Sequence, residues 1–263
     1  MDLRLRGKVA MVSGASKGIG KAIALGLAEE GVHLALNARG PEALEKLADE
    51  IRRQHEVEVL AVPGDMTRAE DIEKFVARTA ERFGRIDILV NNAGSSQGGV
   101  FWDVPERVWL DSWGLKLFGY VRLMQAVIPH MIRQGGGRMV NIVGGSGKQP
   151  IPTMLPGGSA NAALLTITKG VADSVAKHNI VVNAVNPGPI RTERWDGLME
   201  RLGKELGMSA AEYEKTFVKD IPAGRVGRPE EIADLVLFLA SERASYLTGT
   251  SITADGGMTR SMA

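Results

Sequence analysis

The sequence predicts an α/β fold, a doubly wound parallel sheet in a single domain running from residue 1 to residue 263. Three observations predict it. Short apolar runs alternate with stretches of helical spacing, the pattern of a parallel sheet covered on both faces. The first run ends in a glycine turn, Ser13-Gly14-Ala15-Ser16-Lys17-Gly18-Ile19-Gly20. No repeat, linker or shift in composition divides the chain.

In order, Lys8 to Val12 reads as the first strand, and Ile23 and Leu27 keep a helical spacing from the glycine turn to Gly31. Val32 to Leu36 is the second strand. Pro41 opens a helix on Leu44, Leu47 and Ile51. Val57 to Val62 is a third strand, Ile72 to Phe83 a helix and Ile86 to Val90 a fourth strand. A long helical stretch from about Pro105 to Arg133 precedes a strand at Arg138 to Val143, a glycine-rich segment and a helix from about Gly158 to Lys177. The strand Ile180 to Val185 stops at Asn186-Pro187-Gly188-Pro189, as that pairing of Pro and Gly requires. Residues from Ile190 to about Lys219 are helical and rich in Arg, Glu, Trp and Met; at the carboxyl ends of the strands this insertion, about 190–220, is placed as a lid. Glu230 to Ala240 gives a last helix and Ser251 to Ala254 a last strand.

Composition bounds the function. Apolar residues make up 44% and charged residues 24%, ordinary for a soluble globular chain, and the net charge of +1 gives no reason to expect nucleic acid or an anionic membrane as partner. There is no cysteine, hence no disulfide, thiolate nucleophile or thiolate metal site. No apolar run approaches the roughly 18 residues of a membrane span, and the charged start runs directly into a strand, unlike a secretory or transit peptide. A cytoplasmic protein acting on a small molecule is the expectation. His33, His55, His130 and His178 fall at strand starts or helix ends and are given no catalytic role, and no cluster has metal-ligand spacing.

The glycine turn lies where an open parallel sheet binds ligands, between a first strand and a first helix. Gly14, Gly18 and Gly20 permit a tight turn and close approach of a pyrophosphate to the helix start, with Ser16, Lys17 and Ile19 between them. The second strand ends Leu36-Asn37-Ala38-Arg39, with no acid to take a ribose 2′-hydroxyl. Arg39 and Lys17 present cations suited to a 2′-phosphate, so NADP, as NADPH, is expected in preference to NADH.

These residues resemble the short-chain dehydrogenase/reductase family from about Gly7 to Gly257. The turn fits TGxxxGxG with Ser13 for Thr, Asn91-Asn92-Ala93-Gly94 fits NNAG, and Thr248-Gly249 with Asp255-Gly256-Gly257 fits the closing segment. The resemblance implies a Rossmann-like fold, a nicotinamide cofactor and a homo-oligomer, dimer or tetramer, paired through the helices around Phe118 and Ala163. It also implies adenine contacts at Asp65 and Met66, further cofactor contacts at Asn92, Ala93, Gly94 and Asn161, and a nicotinamide wall at Pro187, Gly188, Ile190 and Thr192.

The departures fall on the chemistry. The family uses Ser, Tyr, Lys and Asn; alignment on flanking residues places Gly144, Gly157, Asn161 and Lys116 at those positions. No YxxxK exists, because Tyr120, Tyr213 and Tyr246 are followed four residues later by Met124, Phe217 and Thr250. Losing a positioned acid forfeits about 10² to 10⁴ in rate. Replacement groups are sought at Lys116, as donor, acid or imine-forming amine, at Ser146 and Lys148 in the loop, and at Ser159, whose alternative is a helix cap. Tyr213 could reach in from the lid, and Arg191, Arg194 and Trp195 could clamp an anionic substrate; packing and polar surface are their plainer roles. Three functions remain open: an NADP-dependent oxidoreductase of a carbonyl or alcohol with a non-standard active site, a lyase or dehydratase on the same scaffold, and a catalytically silent NADP-binding protein.

Overall fold

A computed structural model describes residues 1–95 and 97–260. The strands are β1 (Val9–Ser13), β2 (His33–Asn37), β3 (Val59–Ala61), β4 (Ile88–Asn91), β5 (Gly137–Ile142), β6 (Ile180–Pro187) and β7 (Ser251–Ala254). They form one sheet in the order β3-β2-β1-β4-β5-β6-β7, every pairing parallel. Strand order reverses between β1 and β4, which opens a crevice at their carboxyl ends.

Helices α1 (Gly18–Glu29), α2 (Pro41–Gln54), α3 (Ala69–Phe83), α4 (Glu106–Ser112), α5 (Gly119–Gln134) and α6 (Leu155–Val175) follow the strands, and α7 (Glu193–Glu205), α8 (Ala210–Phe217) and α9 (Pro229–Ala240) come after β6. Strand side chains alternate between two cores. Ala10, Val12, Leu34, Leu36, Ile88 and Val90 face α1, α2 and α9 with Ile23, Leu27 and Val236; Met11, Ala35 and Leu89 face α3, α5 and α6 with Phe75, Val127 and Ala172. Both faces are covered, which is why the strands read as continuous apolar runs. Among the described residues no helix is long and apolar enough to cross a membrane.

Several elements depart from the sequence expectation: β3 is three residues where Val57 to Val62 was expected, and β6 runs on to Pro187. The stretch expected as one helix is interrupted by a π-helical turn, Trp113–Phe118, between α4 and α5. The helical insertion is two helices, with Thr192 capping α7 by accepting from Trp195 N at 3.3 Å and a Ser209/Glu212 capping box opening α8. Trp195, Met199, Ile221 and Val226 give this part its own small core.

The sheet centre is fastened by a buried polar chain. Asn91 Nδ2 donates to Asn141 Oδ1 at 2.9 Å, and Asn141 Nδ2 donates to Thr168 Oγ1 at 2.9 Å, tying β4, β5 and α6 together just below the crevice. Replacing Asn141 by Ala strands both partners away from water, at about 1–3 kcal/mol each. Urea unfolding of Asn141→Ala is expected to show a loss of about 2–4 kcal/mol; a change under about 0.5 kcal/mol would contradict this account of the chain.

Candidate active site

The crevice is built on one clasp. Asn92, just past β4, donates from Nδ2 to Ser13 O at 3.1 Å and Gly14 O at 3.0 Å. Ser13 Oγ in turn accepts from Asn92 N at 3.0 Å and Ala93 N at 3.2 Å. The turn is so close to β4 that a Cβ on Gly20 would lie 2.2 Å from Gly14 O, and one on Gly14 2.8 Å from Ala93 Cα. Gly14 also has a φ of 66°. No other residue type fits either place. Lys17 precedes α1 without capping it through its side chain, so the first-turn N–H groups of α1 have no side-chain acceptor and suit an anion.

Of the remaining expected cofactor residues, Thr192 lies directly against this turn. Thr192 Cγ2 would be 3.3 Å from a Cβ on Gly18, which brings the Pro187-to-Thr192 segment against it. Gly188 is seated on Asp255 and Ile190 bridges to Gly227. Ser16 and Ile19 lie within the turn, half-buried. Arg39 is exposed just past β2 and forms no ion pair among the described residues. Lys17 has only a loose, exposed pairing with Glu193 at 3.8 Å, worth little in water. Asp65 caps a local turn by accepting from Thr67 N at 2.9 Å, and Met66 is buried beneath Gly119.

The opposite wall follows β5. Gly144 has a φ of 133° and ψ of 145°, a region open essentially to glycine alone. A Cβ there would stand 2.9 Å from Asn161 Nδ2. Asn161 fills the space, donating to Ser146 Oγ at 2.9 Å, while its buried Oδ1 has no partner among the described residues. Gly157 is buried in the first turn of α6.

Ser159 is not a helix cap; it lies inside α6, accepts from Trp113 Nε1 at 3.0 Å and donates to Pro156 O at 3.0 Å. Lys148 Nζ reaches Ser251 O at 3.4 Å. Arg191 pairs with Glu214 and lies 3.6 Å from Asp196; Trp195 is buried and donates to Glu214 at 3.3 Å. The Arg191 guanidinium holds the Glu214 carboxyl below its usual range. Tyr213 packs with Trp195 and Phe217. Of the lid candidates, then, Arg191, Trp195 and Tyr213 are engaged in packing α7 on α8.

Lys116 is different. It sits on the π-helical turn, a device often found at functional sites, and its Nζ donates to Val143 O at the end of β5. Its methylenes lie over Gly94, where a Cβ would come within 3.2 Å of Cδ. One turn on, Tyr120 Oη donates to Ile142 O at 2.9 Å. Burial pushes the Lys116 ammonium down to about 7, and the Arg194 charge pushes it the same way.

The sequence reading missed the aromatic train behind this turn. Phe101, Trp109 and Trp113 meet edge to face at centroid distances of 6.2 Å and 6.1 Å, and Trp113 passes the contact to Ser159. The four-residue spacing of Trp109 and Trp113 was the available signal.

Comparison with known proteins follows this geometry. The family described as enoyl-(acyl carrier protein) reductase matches residues 14–259. The NADPH-dependent reductase BacG of Bacillus subtilis is 36% identical over 97% of this chain and 99% of its own. The structure of L-sorbose reductase from Gluconobacter frateurii, complexed with NADPH and L-sorbose, superposes with a TM-score of 0.96 at 35% identity over 100% of both chains. A short-chain type dehydrogenase/reductase from Mycobacterium marinum gives a TM-score of 0.89 at 36% identity over 99% of both chains.

Restoring the family serine tests the remodelled wall. Gly144→Ser must adopt a strained backbone, at about 1–3 kcal/mol, and must also displace the Asn161 amide. Thermal unfolding is expected to show a lowered Tm, recovered in part when Asn161→Ala is added; an unchanged Tm for Gly144→Ser alone would contradict the geometry.

Proposed function

The chain belongs to the short-chain dehydrogenase/reductase family, and on that footing we propose that it is an NADPH-dependent reductase of a carbonyl substrate in which Lys116 supplies the proton. The observation that carries the proposal is the placement of the Lys116 ammonium, desolvated and held on Val143 O beside Gly94. When bound, NADPH supplies the hydride. The turn from Gly14 through Ser16, Lys17, Gly18 and Ile19 to Gly20 holds the pyrophosphate, and Arg39 with Lys17 takes the 2′-phosphate. Asp65 and Met66 hold the adenine. Asn92, Ala93 and Gly94 form the floor, and Pro187, Gly188, Ile190 and Thr192 the nicotinamide wall. Asn161 Oδ1, a buried acceptor without a partner, suits a ribose hydroxyl.

An ammonium has three donors. One is directed to Val143 O, which fixes Nζ; the others are available to the carbonyl oxygen as it gains charge. An acid with a pKa near the working pH transfers its proton most effectively, and desolvation gives Lys116 that value. Ser146 accepts from Asn161 and retains its own hydrogen, so it is the second donor to the developing alkoxide. Lys148 and Ser159 have structural partners and serve the wall. The α7–α8 unit closes over the substrate as a lid, and Arg194, whose charge reaches Lys116, favours a substrate bearing an anionic group. Assembly as a dimer or tetramer would cover Phe118 and Ile132, both exposed on the side of the π turn and α5.

The test is NADPH oxidation across a panel of ketones and 2-oxo acids. The natural chain is expected to turn over, and Lys116→Met to lose about 10² to 10⁴ in kcat with NADPH affinity retained. Because the acid form is the one that works, kcat should be full below about pH 7 and fall as Lys116 loses its proton above it. NADPH binding with no turnover on any substrate would favour a silent binding protein. Turnover without loss of NADPH absorbance would favour a lyase.

A further inference from the structure

At the amino ends of β1, β4 and β5, the opposite end of the sheet from the glycine turn, lies a second cavity of about 150 Å³. Its walls carry the cations Arg4, Lys8, Arg85 and Arg138 and the carboxylates Asp87 and Glu242. Asp87 is fully engaged: Arg85 grips it through Nε at 2.8 Å and Nη2 at 2.6 Å, and Val9 N donates to it at 2.9 Å. Glu242 is the remaining acid, and it stands 3.8 Å from Arg4 and 3.9 Å from Lys8, beyond hydrogen-bond distance of both.

Arg138 lines the same cavity. Its Nη1 donates to Gly137 O at 3.0 Å and Asn179 O at 3.2 Å, while its buried Nε has no partner. Three cations therefore share one loosely held carboxylate around a space with an unanswered buried donor. Such a donor costs free energy when nothing accepts from it. A third feature is backbone strain. Arg4 has a φ of 57°, left-handed and rare for a side-chain-bearing residue, and is held there with its N–H on Asp2 Oδ1 at 2.9 Å while Arg243 Nε fixes Asp2 O at 2.9 Å. Arg4 lines the cavity from this backbone.

We propose that this cavity binds a phosphate group, free or carried by a small monoester, through Arg4, Lys8 and Arg138. Arginine forks match tetrahedral oxyanions, and the guanidinium groups of Arg4 and Arg138 both line the space. The volume is half or less of the roughly 300–1,000 Å³ of a drug-sized pocket, which excludes a nucleotide. Glu242, the local counter-ion, would be displaced from Arg4 and Lys8 by the ligand.

Calorimetric titration with inorganic phosphate and with glycerol phosphate, at ionic strength fixed by chloride, tests this. The protein is first saturated with NADPH so that the 2′-phosphate and pyrophosphate sites at the glycine turn are filled and do not compete. Saturable binding is expected, weakened at least about tenfold by Arg4→Ser or Arg138→Gln, each of which removes a charge-assisted hydrogen bond. Glu242→Gln should tighten it, since the one opposing charge is gone; a purely structural ion cluster would show no such gain. Lys8→Gln, at the surface, gives the same answer should Arg138→Gln fail to fold. Binding of both probes assigns the site to the phosphate group itself, and binding of the ester alone assigns it to a phosphorylated metabolite. Heat no greater than the chloride control with both probes, or binding unchanged in the variants, would overturn the proposal.

Discussion

The clasp between Asn92 and the first turn sets the terms for everything at the carboxyl end of the sheet. One amide side chain satisfies Ser13 O and Gly14 O, and one hydroxyl answers two backbone N–H groups past β4. Four bonds across the point where strand order reverses leave no room for a Cβ at Gly14 or Gly20. The turn is thereby preorganised, with the start of α1 open to an anion and Thr192 drawn against it. The buried Asn91, Asn141 and Thr168 chain continues the same fastening across β5 to α6.

Opposite that rigid half, the wall after β5 is filled by Asn161. Asn161 occupies the space that a side chain at Gly144 would need, and Gly144 adopts a backbone that only glycine tolerates. The two changes depend on each other. Across the crevice, the π turn places Lys116 and Tyr120 on successive carbonyls of the β5 end, Val143 O and Ile142 O. A lysine at the surface of a regular helix would stay solvated; here the bulge, Gly94 and β5 strip its water.

The sequence signals for the glycine turn and its neighbours are local. Glycines at 14, 18 and 20, Arg39 in place of an acid and Asn92 after a strand each follow from spacing within a few residues. The sheet and its two cores were equally legible from apolar runs, although β3 proved three residues long where six were expected. The contacts of the wall after β5 were not legible, because the desolvation of Lys116 requires the π turn, and Ser159 looks like a cap until Trp113 is seen to donate to it. The Arg4, Lys8 and Arg138 cavity was invisible for the same reason: its walls come from positions far apart in the chain.

The central claim is that Lys116 holds a proton that leaves near neutral pH. The direct measurement is ¹⁵N NMR titration of lysine-labelled protein, with the Lys116 Nζ resonance assigned by its disappearance in Lys116→Arg. The account predicts a midpoint of about 7. A midpoint near the ordinary 10.5 would show a solvated side chain and contradict it.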